Sequence, residues 1–312
     1  MRVRQLLNNA ISLIVVVMVL FLVIPLRPWM LDVLIILNIA LSVMILMITM
    51  NITEALEFSI FPSLLLITTL FRLGLNVAST RLILSEGGHA GVVIAAFGNL
   101  ITQGNIVIGV LIFLIIVLVQ FIVITKGAER VSEVAARFTL DAMPGKQMAI
   151  DADLSSGLIN EQEARIRRQK IQKEADFYGA MDGATKIVKG DAVMALIITV
   201  INFVAGLIIG IVQGGGDLGT VLTTYSIATI GDGLVSQLPA LMISTATGMI
   251  VTRSVSDGSL NTDVISQFRA QPRAILATGV ILLLLALFPG TPTLPLLLVG
   301  VGLAAGGLYG ER

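Results

Sequence analysis

Residues 106–125 read IVIGVLIFLIIVLVQFIVIT, twenty positions without a charge, and a run of that length fits one environment. About 20 apolar residues in a helix cross the roughly 30 Å hydrocarbon core of a bilayer, where only helices and closed barrels satisfy every backbone polar group. The pattern recurs. Val33–Met50, Phe58 to about Leu84, Ala192–Val212, Val221–Thr252, Ala274–Phe288 and Leu294–Leu308 are similarly apolar. Composition agrees that lipid is the solvent, since 56% of residues are apolar, 13% are charged and the mean hydropathy is +0.97, outside the range of soluble domains. There is no cysteine, which excludes disulfides, thiol catalysis and cysteine metal sites.

At the N-terminus, Arg2 and Arg4 precede an apolar run from Ile11 to Leu26. No small-x-small cleavage site follows, so the run reads as an uncleaved span that turns at Pro25, Arg27 and Pro28 into the next one. The third run acquires Arg72 and Arg81 in FRLGLNVASTRLIL. Between the third and fourth runs, the apolar centre from Val92 to Ile101 is only about half of what crossing needs, which predicts an interfacial or re-entrant segment. With the N-terminal arginines inside, four crossings return the chain to the cytoplasm at Lys126. Positive charge is concentrated there, because 11 of the 20 Lys and Arg lie between Lys126 and Lys189, beside 10 of the 20 Asp and Glu. Four more spans follow, with outer loops QGGGDLG and PGTPT that carry no Lys or Arg. The prediction is therefore an all-α membrane protein of about eight spans with both termini cytoplasmic. It has a first membrane half (1–125), a folded cytoplasmic helical insert (126–190) and a second membrane half (191–312). GxxxG spacings at Gly206/Gly210, Gly302/Gly306 and Gly306/Gly310 fit either close helix contact or ordinary membrane-helix composition.

Within the insert, Val131, Val134, Ala135 and Phe138 fall at i, i+3, i+4 and i+7, one apolar stripe on a helix. Met143-Pro144-Gly145 predicts a break over Asp141–Gly145. A second helix is expected from Asn160, with Glu163 as capping-box partner, through Tyr178. Arg165, Arg167, Arg168, Lys170 and Lys173 would lie on its solvated sides or against anionic lipid heads. Several motifs lead nowhere. Gly214, Gly216 and Gly219 satisfy G-x-G-x-x-G without a preceding strand; Asp151, Asp153 and Ser155 suggest a calcium loop, but its glycine is one place late at Gly157 and Gln162 stands where Glu is needed. No Walker A sequence is present, so no ATPase is expected in this chain, and no basic stretch points to nucleic acid. His89 reads as an interfacial residue rather than a proton relay.

Charges inside spans carry the functional signal, because each costs roughly 2.5–3.5 kcal/mol on insertion scales and so finds a partner or an aqueous path. Asp232 lies within Gly231-Asp232-Gly233, seven residues before Pro239, a context that predicts a broken helix. Arg72 and Arg81 are its candidate partners, with snorkelling to an interface as the other reading for each. Asp191 follows Gly190 at the start of the fifth span. It is either a helix cap or, with Lys186 and Lys189 one or two turns away, an acid that changes partners when it takes a proton. A midplane acid and a broken helix would also suit an ion-coupled small-solute secondary transporter, and a passive assembly scaffold is a third reading.

The longest polar text is RFTLDAMPGKQMAIDADL from Arg137. With TTLFRLGLNVASTRLIL from Thr68, QFIVITKGAERVSEVAARF from Gln120, EADFYGAMDGATKIVKGDA from Glu174 and TIGDGLVSQLPAL from Thr229, it resembles the FHIPEP family, the export-gate proteins of flagellar and virulence type III secretion. DAMPGKQMAIDADL, with Ala142 after Asp141, is nearer the flagellar branch. The resemblance implies a non-enzymatic, multi-pass protein of the bacterial inner membrane that forms a homo-oligomeric, nonameric ring. Its partners would be other export-gate membrane proteins and, indirectly, the export ATPase complex. Exported substrates and chaperones would dock on a large cytoplasmic domain that follows Arg312 in full-length relatives. No cofactor is implied; protons, or sodium ions, couple export to the membrane gradient. The family's important charges map onto Arg130, Arg137 and Asp141 as insert and subunit contacts, and onto Lys186, Asp191 and Asp232 as ion coupling.

Overall fold

A computed structural model of the chain describes residues 12–212, 217–253, 258–288 and 290–311. Arg2, Arg4, Gly214, Gly216 and Arg312 lie outside them. The described residues are helical, with no strand among them. A first helix, α1, covers 12–20 and turns at 21. It is followed by α2 (Pro28–Asn51), α3 (Phe61–Ser85), α4 (Val92–Thr102), α5 (Ile106–Ile122), α6 (Glu129–Ser155), α7 (Glu161–Val212), α8 (Leu218–Val251), α9 (Leu260–Arg269), α10 (Pro272–Leu285) and α11 (Thr293–Glu311). Six stretches are long and apolar enough to cross a membrane, or seven when α9 and α10, bent by 72°, count as one. The expected eight differ at two places. The described part of the first run stops well short of span length, and α10, at 14 residues, reaches it only together with α9.

The chain divides into two compact units, Met1–Thr49 with Ala55–Arg253, and Met50–Glu54 with Ser254–Arg312. In the first, α3 and α8 are the inner helices, burying 61% and 56% of their apolar windows against 17% for α7. Leu31 and Ile35 of α2, Phe71 and Leu75 of α3, Ile94 of α4 and Val235 of α8 form one buried cluster. As predicted from its length, α4 is a short apolar helix. It ends at Gln103 (φ 44°) and Gly104 (φ 83°), a left-handed pair that turns the chain into α5.

Three expected breaks do not occur. α6 passes straight through Pro144, because proline removes a single helical hydrogen bond and Leu140, Asp141 and Gly145 are exposed, so water reaches the freed carbonyl. α8 is continuous through Gly231-Asp232-Gly233 and Pro239. α7 does not stop near Tyr178 and restart at Asp191; it runs unbroken for 52 residues, about 78 Å at 1.5 Å per residue.

α6 and the polar first half of α7 form an antiparallel hairpin. Asn160 caps α7 as expected, its Oδ1 accepting from Glu163 N at 2.8 Å, while the Glu163 side chain turns forward to Arg167 at 2.8 Å instead of back. Ion pairs bridge the two helices from base to tip: Lys189–Glu129 at 2.7 Å, Lys146–Glu174 at 2.9 Å, Arg168–Asp151, and Arg167–Asp153 at 3.4 Å. Part of the predicted wet face is thus the seam of the hairpin. The supposed calcium-loop acids are these partners, and Gly157 (φ 74°) ends α6, with Leu158 N donating to Asp153 O. Of the predicted stripe, Val131 and Phe138 are exposed, and Val134 and Ala135 are half-buried.

In the second unit, α10 and α11 pack through glycine, and of the expected positions Gly310 takes part, a Cβ on it lying 3.3 Å from Pro272 Cβ. An added Cβ at Gly279 would lie 2.5 Å from Ala304 N, and one at Gly307 2.6 Å from Leu276 N, whereas Gly302 and Gly306 face open space. Gly206 and Gly210 do mediate contact, in the first unit, where Tyr225 of α8 fills the room that their missing side chains leave on α7.

Candidate functional site

Every helix at the centre of the first unit brings a polar side chain inward. Arg72 of α3 and Asp191 of α7 form a buried ion pair, each side chain 4% exposed. The guanidinium grips Asp191 Oδ2 with Nη2 and with Nε at 2.5 Å, while Asp191 Oδ1 has no protein partner. Asp191 is therefore not a helix cap. It sits deep inside α7 and depends on α3 for compensation.

Asp232 of α8 is separate from this pair. Its Oδ2 accepts from Asn202 Nδ2 of α7 at 3.0 Å, and Ser79 of α3 is close enough to interact. Neither Arg72 nor Arg81 bonds it. Its two glycine neighbours set its direction. A Cβ at Gly231 would lie 2.0 Å from Ile94 O of α4, and one at Gly233 2.5 Å from the Phe113 ring of α5. The glycines bring two helices against α8 on either side and leave Asp232 facing the third. They serve close packing rather than a break.

Two small cavities meet at Arg72. The one beside Asp191 is about 20 Å³, lined among others by Gln120, Thr199, Ser236 and Gln237. The one beside Asp232 is about 10 Å³, lined by Asn38, Asn76, Ser79 and Ser236. Each is close to the room of a single water, and Arg72 and Ser236 line both. Asn38 Oδ1, Asn76 Nδ2, Asn202 Oδ1 and Gln237 Oε1 are buried without a protein partner, an excess of polar capacity that an apolar bundle does not carry by accident. Sequence reasoning passed over these amides because it searched the spans for charge alone. Asn and Gln inside the apolar runs were the available signal.

The other predicted residues lie elsewhere. Arg81 donates to Val23 O at 2.8 Å and Leu22 O at 3.3 Å, closing the exposed carbonyls after α1. Lys186 pairs with Asp182 at 2.9 Å; five residues from Asp191 on one helix is about 140° of rotation, which points the two apart. Arg130 pairs with Glu133 at 2.9 Å. Arg137 and Asp141 are exposed and make no bond within the described residues. His89 is exposed in the loop after α3.

Sequence comparison places this arrangement in a family. The FHIPEP family model matches residues 17–312, nearly the whole chain and every residue of the polar cluster. The chain belongs to the FHIPEP family. Curated members similar to it include the flagellar biosynthesis protein FlhA of Bacillus subtilis (strain 168), 56% identical over 95% of this chain and 43% of the relative. FlhA of Escherichia coli (strain K12) is 52% identical over 90% and 41%. The low calcium response locus protein D of Yersinia pestis is 49% identical over 97% and 43%. This FHIPEP chain spans about two-fifths of the length of these relatives. No solved structure matches it.

Proposed function

We propose that this FHIPEP chain is the membrane part of an export-gate subunit of a bacterial flagellar or type III secretion apparatus, and that it couples the proton motive force to protein export across the inner membrane. The observation that carries the mechanism is Arg72, bonded to Asp191 and bordering the cavity of Asp232. A proton arriving at Asp191 cancels the charge that holds Arg72, and the guanidinium turns toward Asp232. Magnitudes favour this handover over simple release. Stranding one partner of a buried pair costs about 3–5 kcal/mol, whereas one charge falling through 100 mV supplies about 2.3 kcal/mol. The step lies within reach because a second carboxylate waits on the other side.

Because α7 is continuous from Asp191 into the hairpin, a shift at the pair moves the hairpin as a lever. In this reading the hairpin is cytoplasmic, both termini are cytoplasmic, and Arg130, Arg137 and Asp141 meet neighbouring subunits of a nonameric ring. Other export-gate membrane proteins surround the ring, and the ATPase complex, substrates and chaperones engage it through the domain that follows in full-length relatives. Protons are the coupling ion, with sodium the alternative, and no catalysis is assigned to the chain. The test is secretion by cells whose full-length protein carries Asp191→Asn or Asp232→Asn. Both variants should insert and assemble yet fail to export. Normal secretion by Asp191→Asn removes the proton step, and normal secretion by Asp232→Asn removes the handover.

A further inference from the structure

One acid outside the Arg72 cluster is bound in an unusual way. Asp32 lies just inside α2, and its carboxylate reaches across to the start of α4, where Oδ2 accepts from Val92 N at 3.0 Å and Oδ1 from Val93 N at 3.0 Å. These are the first two N–H groups of α4, which no intrahelical carbonyl can satisfy. Helices ordinarily cap them with the residue just before. Here that residue is Gly91, without a side chain and at φ 132°, and a Cβ on it would fall 2.5 Å from Asp32 Oδ1. The carboxylate of another helix thus occupies the place of the missing cap.

The position matters because of what α4 touches next. Ile94, two residues on from Val92, presses its carbonyl against Gly231, and Gly98 presses against the Ile227 carbonyl; both contacts lie on α8 beside Asp232. On the α2 side, Ile35, three residues on from Asp32, lines the Asp232 cavity. An 11-residue helix is about half a span, so it has no second anchor across the bilayer. We propose that Asp32 is a positioning residue for the Asp232 site. It caps α4 from α2 and so holds α4 against Gly231, fixing the wall beside Asp232. Its effect on export rests on the function proposed above; its effect on α4 does not.

The absence of cysteine makes a direct test available. Ile94→Cys places a thiol at a position 1% exposed, and its reaction with N-ethylmaleimide is followed, against the same protein without that substitution, in membranes of cells making the full-length protein, once that variant is shown to export. With Asp32 present the thiol should be protected; Asp32→Ala should react at least tenfold faster and lower export at least tenfold at unchanged membrane level. Asp32→Asn keeps one of the two oxygen acceptors and should lie between Asp32 and Asp32→Ala in both protection and export. If Asp32→Ala does not accumulate, Gly91→Ala, which drives a methyl into the carboxylate, should expose the thiol instead. Unchanged labelling in whichever of these variants accumulates overturns the proposal, as does a freed thiol with normal export. Loss of export by Asp32→Asn with the thiol still protected makes Asp32 a proton carrier and overturns it equally.

Discussion

Arg72 and Asp191 are 119 positions apart in sequence and share one bond network, so each is expected to be worse alone than absent with its partner. Arg72→Ala leaves a buried carboxylate uncompensated and should cost about 3–5 kcal/mol. The double variant Arg72→Ala/Asp191→Asn should recover most of that, as read by thermal unfolding in detergent. Arg72→Lys should not substitute, because a point charge cannot reproduce a planar fork. Glycine offers a second contrast on one helix. Gly231→Ala meets the Ile94 backbone and should cost about 1–3 kcal/mol, while Gly248→Ala meets nothing and should be neutral or slightly stabilising. Asp191 and Asp232 were legible as charges in need of partners because a charge in an apolar run has few excuses. Their partners were not. Which turn of α3 lies level with which turn of α7 depends on how the helices are packed in depth, and local sequence carries no such register.

At the scale of elements, continuity was the hidden property. Pro144, Pro239 and Gly190 each gave a local reason to end a helix, and in each case neighbouring helices or accessible water outweigh it. The length of α4 was readable, since falling short of a span is a property of one segment, but its cap was not, since Asp32 comes from another. If α7 transmits motion as one rod, a break just before Asp191 should uncouple it. Gly190→Pro, which removes a helical bond and kinks the helix at about 3 kcal/mol or more, should leave the protein in the membrane and abolish secretion. Gly190→Ala, whose Cβ meets nothing within 4 Å, should secrete normally. Equal secretion by the two would show that the rod is not needed.

The whole molecule adds a surface that a single chain leaves open. Arg137, Phe138 and Asp141 are exposed on one stretch of α6, Phe138 by 70%. Arg137→Ala is expected to reduce the assembled ring severalfold in detergent size analysis and to lower secretion in parallel; unchanged rings would separate Arg137 from subunit contact. Among the described residues six or seven stretches are long and apolar enough to cross, so the count of eight is not fixed by them. The central claim is that Asp191 takes the proton and Arg72 moves to Asp232. Infrared difference spectra of the purified full-length protein, recorded between alkaline and acidic pH, test it most directly. A protonated-carboxyl band should appear on acidification, weaken in Asp232→Asn, which removes the second carboxylate, and vanish in Asp191→Asn, with the accompanying guanidinium change lost in Arg72→Lys. A band that survives Asp191→Asn unaltered would contradict the account.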